Sequence, residues 1–185
     1  GKTFSTEHHT ILNVNCLEEL AKPDYAGRYD IILTDPPYGM GADSFGDSGE
    51  RNLAAHGYDD SYEAWQKLVT AWAPLTIAVT KPQSHLYAFC DFDRFHELKA
   101  ILESVGWKVF RTPFVYHKIN SGRVPLPEHG PRRTYELVLY AFRGDKKVNS
   151  IQPDVFSAEA DAIAVHGAGK PVASFANLLA RSAKP

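Results

Sequence analysis

The chain has 185 residues, with 20 Lys and Arg against 22 Asp and Glu, for a formal net charge of −2. Hydrophobic residues make up 44% and charged residues 23%, which excludes a disordered, collagen-like or coiled-coil chain and fits one globular domain. No apolar run has the length of a membrane span, no secretory pattern is evident, and Cys16 and Cys90 alone cannot form a disulfide framework, so a reduced cytoplasmic setting is expected.

In chain order, Gly1–His9 is a short polar lead-in, followed by a β-prone run at Thr10–Val14 and a brief helical stretch at Cys16–Leu20. Tyr29–Thr34 (YDIILT) is apolar enough to predict a strand buried on both sides. Asp35-Pro36-Pro37-Tyr38-Gly39 must end it, because proline cannot continue a ladder. Residues 39–57 are rich in glycine and carry two Asp-Ser steps, which predicts a mobile loop beside the site. Ser61–Ala73 has apolar residues at helical spacing, and Asp60 or Ser61 can cap it. Pro74–Lys81 reads as a continuation of that helix or as a turn.

His85–Cys90 is a second central strand, and Phe92–Val105 is a helix stopped by Gly106. Trp107–His117 and Thr134–Arg143 are further strands. Between them, residues 118–133 hold three prolines and a set of basic side chains, and they predict a loop. Gly144–Gly169 is mostly irregular, with a short helix near Ser157–Ala162, and Pro171–Arg181 is a closing helix. Alternating strands and helices predict an α/β sheet covered on both faces. No histidine shows ligand spacing, so no metal site is expected.

The chemistry concentrates in Asp35-Pro36-Pro37-Tyr38, at the carboxyl end of a central strand, where α/β sheets bind ligands. Asp35 offers a carboxylate acceptor, and Pro36 and Pro37 present carbonyls on a rigid backbone with no N–H of their own. Acceptors fixed in this way suit an exocyclic amino group, whose lone pair they draw out of conjugation with its ring. Tyr38 adds an aromatic face for a flat base, a contact of about 1–3 kcal/mol. Such a base must first leave its duplex stack. The bland reading of the same residues is a strand-terminating turn in which Asp35 caps a backbone N–H.

Tyr29–Gly39 (YDIILTDPPYG) resembles the motif of the amino-group DNA methyltransferases, which methylate adenine N6 or cytosine N4. The resemblance covers most of the chain: Thr10–Leu20 is similar to the segment preceding the motif in permuted, β-type members, and the later strands follow in the family's order. His166-Gly-Ala-Gly-Lys170-Pro171 resembles the family's His-x-x-x-Lys-Pro segment. The resemblance implies a Rossmann-like sheet dependent on S-adenosylmethionine, with Asp35, Pro36, Pro37 and Tyr38 catalytic. It implies that Asp35, His166, Lys170 and Pro171 contact the cofactor. Residues 118–133 would be a target-recognition loop in which Lys118, Arg123, Arg132 and Arg133 meet double-stranded DNA. The leading Asp favours adenine N6 over cytosine N4. A net charge of −2 does not oppose this, since a base drawn into a small pocket needs only a local cationic loop.

The family's Phe-x-Gly-x-Gly turn is absent from the sequence, and Asn15 stands where the family often has an acidic residue. The expectation is therefore a partial methyltransferase domain over residues 1–185, lacking the first strands of its sheet. Tyr29–Thr34 would then have an unpaired edge open to self-association. The competing reading is a non-catalytic DNA- or nucleotide-binding module on the same fold, and methylation of a free base, RNA or protein amide is a third.

Overall fold

The computed structural model describes residues 2–40, 59–120, 122, 124, 127–159 and 169–184. Strands β1 (Thr3–Ser5) and β2 (Thr10–Leu12) form an antiparallel hairpin, so the expected lead-in carries a strand of its own. Helix α1 (Cys16–Leu20) follows, capped by the Asn15 side chain, which accepts from the Leu17 N–H. The main sheet holds β3 (Tyr29–Thr34), β4 (Thr80–Cys90), β5 (Lys108–Val109), β6 (Phe114–Ile119), β7 (Tyr135–Arg143) and β8 (Val155–Glu159). Its order is β3-β4-β7-β6-β8, with β5 also pairing with β7. The β3–β4 and β6–β8 pairs are parallel, and the pairs made by β7 are antiparallel.

Period-two alternation splits the sheet's side chains between two cores. Leu86, Ala88 and Cys90 of β4 and Leu137, Leu139 and Ala141 of β7 face one side. There they pack against α2 (Tyr62–Val79) and α3 (Phe92–Val105) through Trp65, Val69, Phe95 and Leu98. Tyr87, Phe89, Val138 and Tyr140 face the other side, with Tyr116, Phe156 and Leu178 of α4 (Val172–Ala180). Full burial of a Leu such as Leu98 contributes about 1.5–3 kcal/mol.

Several sequence expectations need correction. Strand β3 is half-buried rather than buried on both sides, because among the described residues its only ladder neighbour is β4. Its open edge matches the expected incomplete sheet. Of the two readings of Pro74–Lys81 the helical continuation holds as far as Val79, since Ala73, Thr76 and Val79 keep the buried face of Trp65, Val69 and Trp72 in register. The Trp107–His117 strand is broken into β5 and β6 at residues 110–113, where Pro113 has no N–H to give. Residues 118 and 119 of the expected loop belong to β6. The helix expected near Ser157–Ala162 is instead β8 over Val155–Glu159. Phe156 and Ala158 are buried between exposed neighbours, a strand period, and the remainder of that stretch lies outside the described residues.

Candidate active site

Strand β3 ends at Thr34, and Asp35 and the two prolines follow it at the carboxyl edge of the sheet. Four elements converge there. Tyr38 donates its hydroxyl to Glu136 Oε2 at 2.6 Å, from the start of β7. The Lys170 ammonium, from the residues leading into α4, lies 3.0 Å from Asp35 Oδ2 and 3.1 Å from Glu136 Oε2. Lys118, near the end of β6, pairs with the other Glu136 oxygen, Oε1. The Lys170 nitrogen also sits 5.3 Å from the Tyr38 ring centre and 5.4 Å from that of Phe89. The Lys170 side chain is only 9% exposed, so these carboxylates are its effective solvent.

The two acids are pushed in opposite directions. Burial holds the Asp35 carboxyl above the usual carboxylate range, and Lys170 offsets this only in part. Burial acts likewise on Glu136, but there Lys170, Lys118 and the Tyr38 hydroxyl together outweigh it and hold the carboxyl below its usual value. Burial disfavours the Lys170 cation, yet Glu136 and Asp35 more than compensate and raise its pKa. Tyr38 is pushed far up by burial and by the two carboxylates, so its phenol stays protonated as a donor. A pair of carboxyls with separated proton affinities beside a locked phenol is the kind of arrangement that divides acceptor and structural roles.

Gly39 closes the motif. It adopts φ +63°, and an added Cβ would lie 2.5 Å from Trp65 Cβ. Its N–H donates to Asp60 Oδ1 at 2.8 Å, and its carbonyl accepts from Arg94 Nη2 at 2.8 Å. Arg94 lies over the Tyr62 ring at 4.6 Å and near Trp65 at 5.6 Å.

The structure thus brings Asp35, Tyr38 and Lys170 together, with Pro36 and Pro37 in the connecting turn and Pro171 buried as the N-cap residue of α4. His166 lies outside the described residues, as do residues 41–57 of the expected mobile loop and Arg123. Of the other DNA-directed cations, Lys118 is committed to Glu136, and Arg133 Nη2 reaches Asp91 Oδ2 at 3.1 Å. Arg132 is exposed and shares with Lys118, His117 and Asn120 a shallow cleft of about 530 Å³. Glu136 and Arg94 escaped the sequence reading. Glu136 had one usable signal, a lone charge in the apolar run TYELVLYAF, whereas Arg94 looks like any helix-surface cation.

Both cysteines are free, and burial pushes the Cys90 thiol up to about 12. Among the described residues, no group of three or more His, Cys, Asp or Glu could hold a metal ion, and no helix is long and apolar enough to cross a membrane.

No curated protein matches the chain. Among solved structures, the crystal structure of the M1.HpyAVI–SAM complex superposes with a TM-score of 0.58 at 16% identity, covering 86% of this chain and 67% of that one. The crystal structure of M1.HpyAVI gives 0.56 at 14% identity, covering 91% and 71%. At such identities the likeness is one of fold, a methyltransferase α/β sheet. A sequence profile of the N6/N4 methyltransferases, described as DNA methylase, matches residues 29–181, from the first residue of β3 to the residue after α4. The match takes in Asp35, Tyr38, Glu136 and Lys170 alike, and the chain belongs to the N6/N4 family of DNA methylases.

Proposed function

We propose that the chain binds the target amine in methyl transfer from S-adenosylmethionine to adenine N6 of double-stranded DNA. The observation that carries this reading is Asp35, held at the end of β3 by Lys170 beside a Tyr38 locked to Glu136. Bound S-adenosylmethionine would supply an electrophilic methyl group on a sulfonium centre. The residues present fit such a group: carboxylate and carbonyl acceptors stand beside the aromatic faces of Tyr38 and Phe89, and all of these tolerate a cation. Asp35, Lys170 and Pro171 would hold it, and His166, outside the described residues, is proposed as a further contact.

Asp35 and the Pro36 carbonyl accept the two N–H bonds of the amine and direct its lone pair away from the ring. Lys170 is bonded to Oδ2 of Asp35, and a carboxylate keeps acceptor capacity on both oxygens. Of the two carboxyls, Asp35 has the raised proton affinity and so takes the proton that the amine sheds after transfer. Glu136 stays ionised and fixes Tyr38, whose ring the extruded base stacks against. Arg132, with Arg123, supplies local positive charge for phosphates, and Lys118 and the exposed Arg133 join it by exchanging their pairs with Glu136 and Asp91 for the DNA backbone.

The test is incubation with labelled S-adenosylmethionine and adenine-containing duplex, with nucleoside analysis of the product. N6-methyladenine that disappears in Asp35→Ala is the expected result. N4-methylcytosine would replace the adenine assignment. DNA binding without transfer, in a protein shown to bind the methyl donor, would make the chain a binding module.

A further inference from the structure

A second cleft opens on the opposite face of the same sheet edge. It has a volume of about 400 Å³, and its lining includes Phe92, Phe95, His96, Arg111, Tyr135 and Leu137. Successive residues on a strand point to opposite faces, so Tyr135 and Leu137 turn into this cleft while Glu136 turns into the Asp35 site. The two sites therefore stand back to back across the first residues of β7. Phe92, the first residue of α3, is 66% exposed, and Tyr135 is 49% exposed. Two large rings held open to solvent at a cleft mouth contribute little to the core, and such rings serve as stacking platforms for flat ligands. Arg111 stands beside them, exposed and, among the described residues, without a carboxylate partner. The cleft therefore combines π faces with an uncompensated cation, the chemistry of a nucleobase joined to its phosphate.

We propose that this cleft is a second nucleobase site, which holds an unstacked base of the DNA strand beside the target nucleotide. Phe92 and Tyr135 sandwich or flank the base, and Arg111 meets the adjoining phosphate. The site rests on the reading of the chain as a DNA methyltransferase. It deepens that reading, because extruding one base leaves a partner and neighbours with lost stacking, which a platform on the other side of β7 recovers. Binding here is tolerant of sequence, since every base offers a π face.

The experiment titrates a labelled, random-sequence single-stranded oligonucleotide by fluorescence anisotropy, using the full chain and variants whose melting curves match it. Phe92→Ala with Tyr135→Ala is expected to weaken binding by about tenfold or more. Tyr135→Phe keeps the ring and should bind as the wild type does. Arg111→Gln should weaken binding and lower the slope of log K against log salt by about 1. Oligonucleotide carrying 5-iodouracil should photocross-link to Phe92 or Tyr135. DNA binding unchanged by the double alanine variant, or cross-links confined to other segments, would overturn this site and leave the Asp35 reading standing. Protection of the two rings by an apolar peptide but not by oligonucleotide would make the cleft a protein-docking site and equally overturn it. No DNA binding by the wild-type chain would remove both readings together.

Discussion

The Lys170 ammonium lies 3.0 Å from Asp35 Oδ2, so the residues leading into α4 are tied to the end of β3 at the point where chemistry is expected. The same nitrogen bridges to Glu136, which makes Lys170 the shared counter-ion of two largely buried acids. Lys170→Met leaves both acids without it. Removing one partner of a buried ion pair costs about 3–5 kcal/mol, and the residual exposure of Asp35 places this case at about 3 kcal/mol. Urea denaturation at neutral pH should show that loss as a lower midpoint with an unchanged slope. Lys170→Arg, which keeps the charge, should recover most of it.

Tyr38 and Glu136 separate stacking from positioning. Tyr38→Phe removes the 2.6 Å hydrogen bond but leaves a ring for the base. Its effect should fall mainly on the turnover rate, by about tenfold, since a ring freed to move misplaces the base relative to Asp35. Tyr38→Ala should in addition weaken DNA binding by the worth of one stacking contact, about 1–3 kcal/mol. Steady-state methyl transfer with varied DNA resolves the two, and equal effects of both variants on KM would contradict this division.

The site was legible in sequence where chemistry is local. Asp35 to Tyr38 reads directly, because two prolines after an apolar strand leave few structural options, and Lys170 reads through its proline and helix. Glu136 and Arg94 were not legible, since their roles come from tertiary pairing across distant elements. The ion pairs of Lys118 with Glu136 and of Arg133 with Asp91 were not legible either, since they too join residues distant in the chain. Fold errors differ in source: the β5–β6 break sits at Pro113, a local signal, whereas β8 as a strand depends on its pairing with β6, a neighbour that local pattern does not name.

Opposed shifts give opposed pH effects. Glu136 is held below its usual value, so its contribution to stability is complete above that value and is lost as pH falls through the folded pKa. Lys170 is raised, so its contribution is complete below the usual lysine value and is lost as pH rises through the folded pKa. Together they support the fold across roughly pH 4 to 10. Asp35 is raised, and its ionised form therefore opposes folding at neutral pH. Asp35→Asn is expected to melt at or above the wild-type temperature at pH 7 while losing methyl transfer. The acid limb of the wild-type pH–rate profile should lie above the usual aspartate range, and a limb at or below that range would contradict the assignment of Asp35.

The outer edge of β3 has no ladder partner among the described residues, and exposed backbone of this kind pairs readily with another strand. We predict self-association through that edge, visible in sedimentation as a concentration-dependent dimer. Asp30, paired with Lys81 at 2.9 Å on an exposed surface, moderates it little. A single monomeric species over the full concentration range would remove this prediction.

Gly39 offers the sharpest test of how the motif is held. Its φ of +63° disfavours any side chain, and an added Cβ would overlap Trp65, itself buried in the α2–α3 core. Neither strain can relax easily, since the Gly39 N–H and carbonyl are each held at 2.8 Å by Asp60 and Arg94. Gly39→Ala should therefore cost about 2–3 kcal/mol, combining left-handed strain with displacement of a packed ring. Arg94→Lys keeps the charge but loses the planar group over Tyr62, and it should cost less stability. If Gly39 only terminates a turn, the alanine variant will lose stability but keep normal methyl transfer per folded molecule. If it sets the approach of Tyr38 to Glu136, turnover will fall as well, and Tyr38→Phe added to Gly39→Ala will lower it little further.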